Sequence, residues 1–399
     1  MHFLPILANI GLSLACVRLT WTNPNNNHKV VTGRSVDVLT NDTELFLYFF
    51  PRGISRTGGV KGQNYTPLNW TSIYASTATV LHNDMFIEGV NEQGLSASAL
   101  IKEEDGELGS KKMGEPALSS SIWMQYYLDT FGSVSEIFKT MCNPRPRPVA
   151  HSHVGRVKAE EEADVFRDWA EHRIDKIQVI ANPRDIDGIS TAVVLGISDI
   201  HGDTLIMEHK HDKLNCFHAK NHDKYAIAVN DIFTRKRAKG AVKTLEEVLN
   251  RNDNIQPQSY RKYLELSNIY SNRKSADTRS SAMFDAMHML RQVTTSESKT
   301  KSFELPKVKT SDFLWPTKWR IVTDLSSGYV VFENPHRNDN FHYRLDDFDK
   351  TTNGRTMLLT VDHSSSFTED VSKLFKQLGP DDDLPFSNSG QPDYASEHE

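Results

Sequence analysis

Cys16 stands directly behind a short apolar leader, in "GLSLACVRLT". If the leader is cut before it, one residue carries both a nucleophile and a base. A thiol has an ordinary pKa of about 8.5 and a free α-amine of about 8, so proton transfer between the two is easy near neutral pH. The amine takes the thiol proton and later gives it to a leaving amine, a recognised way to activate a nucleophile. While the leader is attached, that nitrogen is an amide and has no basicity. Two charged residues in "GRSVD" suit the same site. Arg34 would stabilise the thiolate, and Asp37 would hold the α-ammonium in position. On spacing alone a surface salt bridge is the preferred role of each. A lipid-modified cysteine is a further reading of Cys16, although Leu14 stands where a lipidation signal places a small residue.

These residues need elements to carry them. The leader, "MHFLPILANIGLSLA", has the length of a signal-peptide core and is too short to cross a bilayer. Residues 1–15 are therefore expected to be removed and the protein to be secreted or periplasmic; a buried first strand or helix is the alternative. The sequons at Asn41, Asn64 and Asn69 would be glycosylated only in a eukaryotic secretory pathway. The chain has 399 residues, 38% hydrophobic and 25% charged, with a formal net charge of -6, which is ordinary globular composition. Mild acidity argues against a nucleic-acid partner. No apolar run beyond the leader reaches the roughly 18 residues of a membrane span. Three cysteines do not make a disulfide framework. Cys142 and Cys216 could pair, although two buried small residues are the preferred reading, and Cys16 is then the odd one.

"CVRLTW" and "VVTGRSVDVL" alternate on either side of a polar turn, which predicts a hairpin beginning at Cys16. "TELFLYFF" and "ATVLHNDMFIEGVNEQGLSASAL" predict further strands, with a turn at "NEQG". Trp123, Tyr127 and Phe131 recur at spacing four, one face of a helix, where core packing is the preferred role. "SVSE" opens a second helix as a capping box, Ser133 with Glu136. Residues 153–173 are charge-rich and read as an exposed helix or insertion. Between residues 176 and 231 short turns predict an antiparallel meander. "TLEEVLNR" and "AMFDAMHMLRQV" read as helices, followed by closing hairpins in "WRIVTDL", "YVVFENP" and "FHYRLDDF". The acidic end, 377–399, reads as a disordered tail, leaving 16–376 as one domain. Runs of strands and helices in this order predict an α+β fold with two antiparallel sheets and helices outside.

"ACVRLTW" with "GRSVDV" resembles the start of the choloylglycine hydrolase family, which includes penicillin V acylases and conjugated bile acid hydrolases. The likeness recurs in order in "GVNEQGLSASAL", "SSSIWMQYYLDTFGSVSEI", "GISTAVVLGISDIHGDTLIMEHKHDKL" with "YAIAVND", and "KWRIVTDLSSGYVVFENP". The resemblance implies a four-layer αββα N-terminal nucleophile hydrolase fold, hydrolysis of a linear non-peptide amide, and a homo-oligomer, dimer or tetramer. It makes Cys16 the nucleophile and, through its α-amine, the base. Arg34 and Asp37 fall on the family's Arg and Asp, and Asn91 and Asn230 on its two oxyanion-hole asparagines. For Asn91 a turn role is the alternative that the residues alone prefer. Anchoring the family's last arginine on Ala282 puts Ser281 in its place and leaves Arg279 two residues early as the candidate. Val38 follows the aspartate where penicillin V acylases often have Trp. The implied partner is a small acyl amide: a phenoxyacetyl penicillin, a conjugated bile acid or an acyl homoserine lactone. A family member without activity, binding an acyl ligand or a protein partner, is the alternative. His209, His211, His218 and His222 lie together in sequence but read as exposed on a polar hairpin, and the chemistry needs no metal or cofactor.

Overall fold

The computed structural model describes residues 16–23, 26–38, 44–59, 66–81, 83, 85–101, 116–142, 178–180, 193–210, 213–219, 226–230, 258–294, 316–336, 339–361 and 365–379. The leader, the charge-rich segment 153–173, "TLEEVLNR", Asn41, Asn64, His211, His222 and the last twenty residues of the tail lie outside them.

A six-stranded sheet runs in the order β15 (Ile227–Val229), β1 (Val17–Asn23), β2 (Asn26–Asp37), β16 (Thr317–Asp324), β17 (Tyr329–Asn334) and β18 (Asp339–Arg344). A nine-stranded sheet follows the order β14 (Lys213–Ala219), β13 (Thr204–Lys210), β12 (Val193–Ser198), β9 (Ser96–Ile101), β8 (Met85–Asn91), β7 (Ser76–Leu81), β3 (Leu45–Phe50), β19 (Met357–Val361) and β20 (Lys376–Gln377). Both are antiparallel throughout. β4 (Ser55–Thr57) pairs with β6 (Asn69–Thr71), and β10 (Pro116–Ser119) lies between β5 (Thr66–Pro67) and β11 (Gln178–Ile180) as a small parallel sheet.

Helices cover the outer faces. On the nine-stranded sheet lie α1 (Trp123–Thr130) and the short α2 (Val134–Ile137). Trp123, Tyr127 and Phe131 are buried there and their rings pack in sequence, so the spacing-four face is core. Ser133 caps α2 by accepting from the Glu136 N–H, while the Glu136 carboxylate accepts from Gly132 N rather than from the cap residue itself. The six-stranded sheet is covered by α3 (Gln258–Ser271) and α4 (Arg279–Gln292): Val17, Leu19, Trp21 and Val31 pack against Leu264, Leu266 and Leu290.

Strand alternation sends the other residues of β1 and β2 inward, between the sheets. Gly196 permits this close approach, since a Cβ there would lie 2.9 Å from Arg18 Cδ and 3.3 Å from Ala228 Cβ. The result is the four-layer αββα order.

Two expectations change. β12, β13 and β14 form the meander, but β15 leaves it and pairs with β1 in the other sheet. Cys142 and Cys216 are joined in a disulfide across 74 residues of sequence, so they are not two separate buried thiols, and Cys16 is the free cysteine.

Candidate active site

Cys16 immediately precedes β1. Val17 pairs with Val229 on one side and Ser35 on the other. One step back along both ladders, Cys16 comes opposite Asn230, which directly follows β15, and beside Val36 and Asp37 on β2. Directly opposed residues in a ladder hold their Cβ atoms about 5 Å apart. The Cys16 thiol is buried and reaches the Asp37 carbonyl at 4.0 Å. Its apolar surroundings are Leu100, Val194, Ile206 and Ala228, with Phe217 partly buried beside them.

Asn230 is fully buried. Its Nδ2 donates to the Ile101 carbonyl at 2.7 Å, which ties the end of β9 to β15. An amide nitrogen carries two protons, and this contact uses one of them.

Asp37 turns to the helix side. Its Oδ2 accepts from Lys262 Nζ on α3 at 2.5 Å and from Ser35 Oγ at 3.4 Å. Its Oδ1 is buried without a hydrogen-bond partner. The Asp37 and Lys262 side chains are 0% and 4% exposed, so this ion pair is withdrawn from water. Lys262 escaped the sequence reading. Lys262 lies in the first turns of α3, in "QSYRKYLEL", and nothing local ties it to a carboxylate 225 positions away.

Arg34 points inward from β2, diagonally across from Cys16. Its guanidinium donates to the Ile87 carbonyl and lies 3.8 Å from Glu88. Beside it Arg18, two residues after Cys16, donates to Ser98 at 2.8 Å and to Thr20 and Ser198 at 2.9 Å each. Ser98 in turn donates to Glu88. Burial pushes the Arg18 guanidinium down to about 10; Glu88 opposes that shift and Arg34 adds to it. Burial raises the Glu88 carboxyl, against the pull of both arginines. The space between the sheets is thus apolar around Cys16, with a layer of buried, mostly hydrogen-bonded polar groups behind it, in which Arg34 Nε has no partner.

Two expected site residues lie elsewhere. Asn91 is a turn residue: its Nδ2 donates to the Leu128 and Phe131 carbonyls at 2.9 and 2.8 Å, and its Oδ1 accepts from the Gln93 and Leu95 N–H groups at 3.0 Å. All its capacity is spent pinning the "NEQG" turn, where Gly94 adopts φ +73°, to the end of α1. Asn91 binds Leu95 and Asn230 binds Ile101, opposite ends of β9, so about 20 Å of extended strand separates them. They cannot share one oxyanion. Arg279 opens α4, half exposed, with its Nε 2.8 Å from Asp324. Asp324 pairs with Val31, whereas Thr317 pairs with Asp37; Arg279 therefore lies at the far end of β16, about 23 Å along the strand. A surface hollow of about 410 Å³ there is lined by Arg279, Ser280, Met283, Ser327, Tyr329 and Arg344. Among the described residues no group of three or more His, Cys, Asp or Glu is placed to hold a metal. His218 stacks on Phe138 and lies 3.7 Å from Asp203.

Two antiparallel sheets between helices, with Cys16 just ahead of the first strand, form a four-layer αββα fold. The solved penicillin V acylase of Agrobacterium tumefaciens matches 92% of this chain and 98% of its own, with a TM-score of 0.65 and 20% identity. A mutant conjugated bile acid hydrolase from Clostridium perfringens matches 89% and 98%, with a TM-score of 0.60 and 14% identity. Residues 16–155 match the model of the choloylglycine hydrolase family of linear amide C–N hydrolases. A penicillin V acylase from Pectobacterium atrosepticum is 36% identical over 137 residues, 33% of this chain. That match spans 35% of the relative's length.

Proposed function

We propose that this protein hydrolyses the C–N bond of linear, non-peptide acyl amides, with Cys16 as an N-terminal nucleophile. The observation that carries the reading is the position of Cys16: it leads β1, faces Asn230, and adjoins Asp37, whose Oδ1 has an unused acceptor site. Removal of residues 1–15 would leave the Cys16 α-amine beside that carboxylate. The amine accepts the thiol proton and the thiolate attacks the carbonyl carbon. The second Nδ2 proton of Asn230 supports the oxyanion, a role that suits a neutral, fixed donor. The C–N bond then breaks as the ammonium returns its proton to the leaving amine. Water, deprotonated by the same amine, opens the thioester and releases the acid. Arg34 supplies positive potential on the inner face.

The apolar residues around Cys16 favour an aromatic or fatty acyl group over acetyl, and Val38 leaves more room than a Trp would. Penicillin V, conjugated bile acids and N-acyl homoserine lactones all have such groups. The Cys142–Cys216 disulfide fits an oxidising compartment, which together with the leader supports secretion or a periplasmic location. The test is a panel of acyl amides with acetyl, phenoxyacetyl, bile-acyl and long-chain groups, assayed on protein beginning at Cys16 and on Cys16→Ala. Turnover of the bulky amides, lost in Cys16→Ala, supports the reading. No turnover of any of them, or equal turnover by Cys16→Ala, removes it.

A further inference from the structure

Lys262 has no part in the steps just described, yet it holds the carboxylate next to the proposed base. The ladder runs antiparallel, with Val17 against Ser35, so going backwards from Val17 brings the Cys16 nitrogen toward Asp37. Asp37 therefore adjoins Cys16 along the ladder, and Lys262 Nζ bonds its carboxylate from the helix side. A lone carboxylate beside an amine favours the charged ammonium. An amine held as ammonium cannot accept the thiol proton. A second cation already paired with that carboxylate cancels most of its field, while Oδ1 can still accept an N–H from the neutral amine.

The other charges facing this point come from each neighbouring element. β1 contributes Arg18, and β2 Arg34, both on the inner face. β8 contributes Glu88, tied to those arginines. β13 contributes Glu208, bonded to Asn215. β16 contributes Lys318 at its bulge and Arg320, which is paired with Glu333 as is Arg291 of α4. β15 presents only Ala228 and Asn230. Lys262 alone among these cations touches Asp37 in the contacts described.

We propose that Lys262 is a positioning residue of this site, one that neutralises Asp37 from the helix side so that the Cys16 α-amine stays uncharged and able to take the thiol proton. The inference rests on Cys16 being the N-terminal nucleophile.

The experiment compares pH profiles of kcat/KM for the processed wild type, Lys262→Gln and Lys262→Arg, each checked by mass to begin at Cys16. Lys262→Gln is expected to move the acid limb upward by about one pH unit, a loss of about tenfold below the limb that recovers as pH rises. Lys262→Arg keeps the charge and is expected to keep the wild-type limb. A Lys262→Gln profile lowered equally at all pH values overturns the proposal. In parallel, the α-amine of wild-type protein labelled with ¹⁵N-cysteine is titrated directly by NMR. A midpoint clearly below the ordinary value of about 8 supports the proposal, and one at or above it overturns it. This titration needs neither a folded variant nor turnover. An inactive wild type would therefore count against the amidase reading alone.

Discussion

Val17 pairs with Val229 in the β1–β15 ladder, which sets Asn230 opposite Cys16 one step further on, and the Asn230 amide bridges from there to the Ile101 carbonyl on the opposite sheet. The bridge fixes the amide plane, and with it the direction of the second Nδ2 proton. Asn230→Ala is expected to lower kcat by about 10²–10³ while leaving KM within a few-fold, the signature of a donor that acts on developing charge. Steady-state kinetics on a cleaved acyl amide decide it. Near wild-type kcat would take Asn230 out of the site.

Arg279 makes the opposite case. It is 54% exposed and its partner Asp324 retains hydrogen bonds from Ser326 and Ser327. Arg279→Ala is expected to keep full activity and to cost about 1–2 kcal/mol of stability, since the buried Asp324 carboxylate loses its cation but keeps its hydroxyl donors. A large loss of kcat/KM would contradict the placement of Arg279 at the far end of β16.

How much of this was legible in the sequence depended on distance along the chain. The β1–β2 hairpin announced itself through alternation on both sides of a polar turn, and the rings on α1 through spacing four. β15 did not: it is three residues long and buried on both faces, so no alternation says which sheet it joins. Asn91 has the right residue type in the wrong kind of place, because a turn uses the same amide groups that an oxyanion hole would. The Cys142–Cys216 bond and the Asp37–Lys262 pair join residues 74 and 225 positions apart. Only the packing of sheet, helix and loop brings them together, and no local pattern encodes that.

Gly196 reports on the polar layer behind the nucleophile. In Gly196→Ala the new methyl would press on Arg18 Cδ at 2.9 Å. Arg18 is held at several hydrogen bonds and cannot swing away without breaking them. The substitution is expected to cost about 1–3 kcal/mol, typical of overpacking, and to reduce turnover by displacing β1 near Cys16. Urea midpoints and kcat measured together test this; an unchanged protein would mean that the two sheets separate easily here.

Glu333 gives stability a pH dependence of known sign. Burial alone would raise its carboxyl, but hydrogen bonds and charge from Arg291 and Arg320 outweigh this and hold it below the ordinary range. A carboxylate depressed on folding binds fewer protons folded than unfolded across that interval, so stability rises with pH there. Its contribution is complete above the ordinary glutamate value of about 4.3 and is lost as pH falls through the folded one. Glu333→Gln is expected to lower the urea midpoint at pH 7 and to cost progressively less below about pH 4. An equal cost at pH 3 and pH 7 would contradict the ion-pair account.

The central claim is that cleavage before Cys16 creates the base. A cysteine whose nitrogen is tied in a peptide has no α-amine to take its proton, and no histidine is described beside it to substitute. Signal peptidase, an aminopeptidase or attack by Cys16 on its own preceding bond would each produce that terminus. Cys16→Ser separates them in part, since cutting by signal peptidase should survive it and self-cleavage should slow. The direct measurement is the intact mass and N-terminal sequence of protein purified by its amidase activity. The account predicts that the active species begins at Cys16. Full activity in protein that still carries residues 1–15 would contradict it.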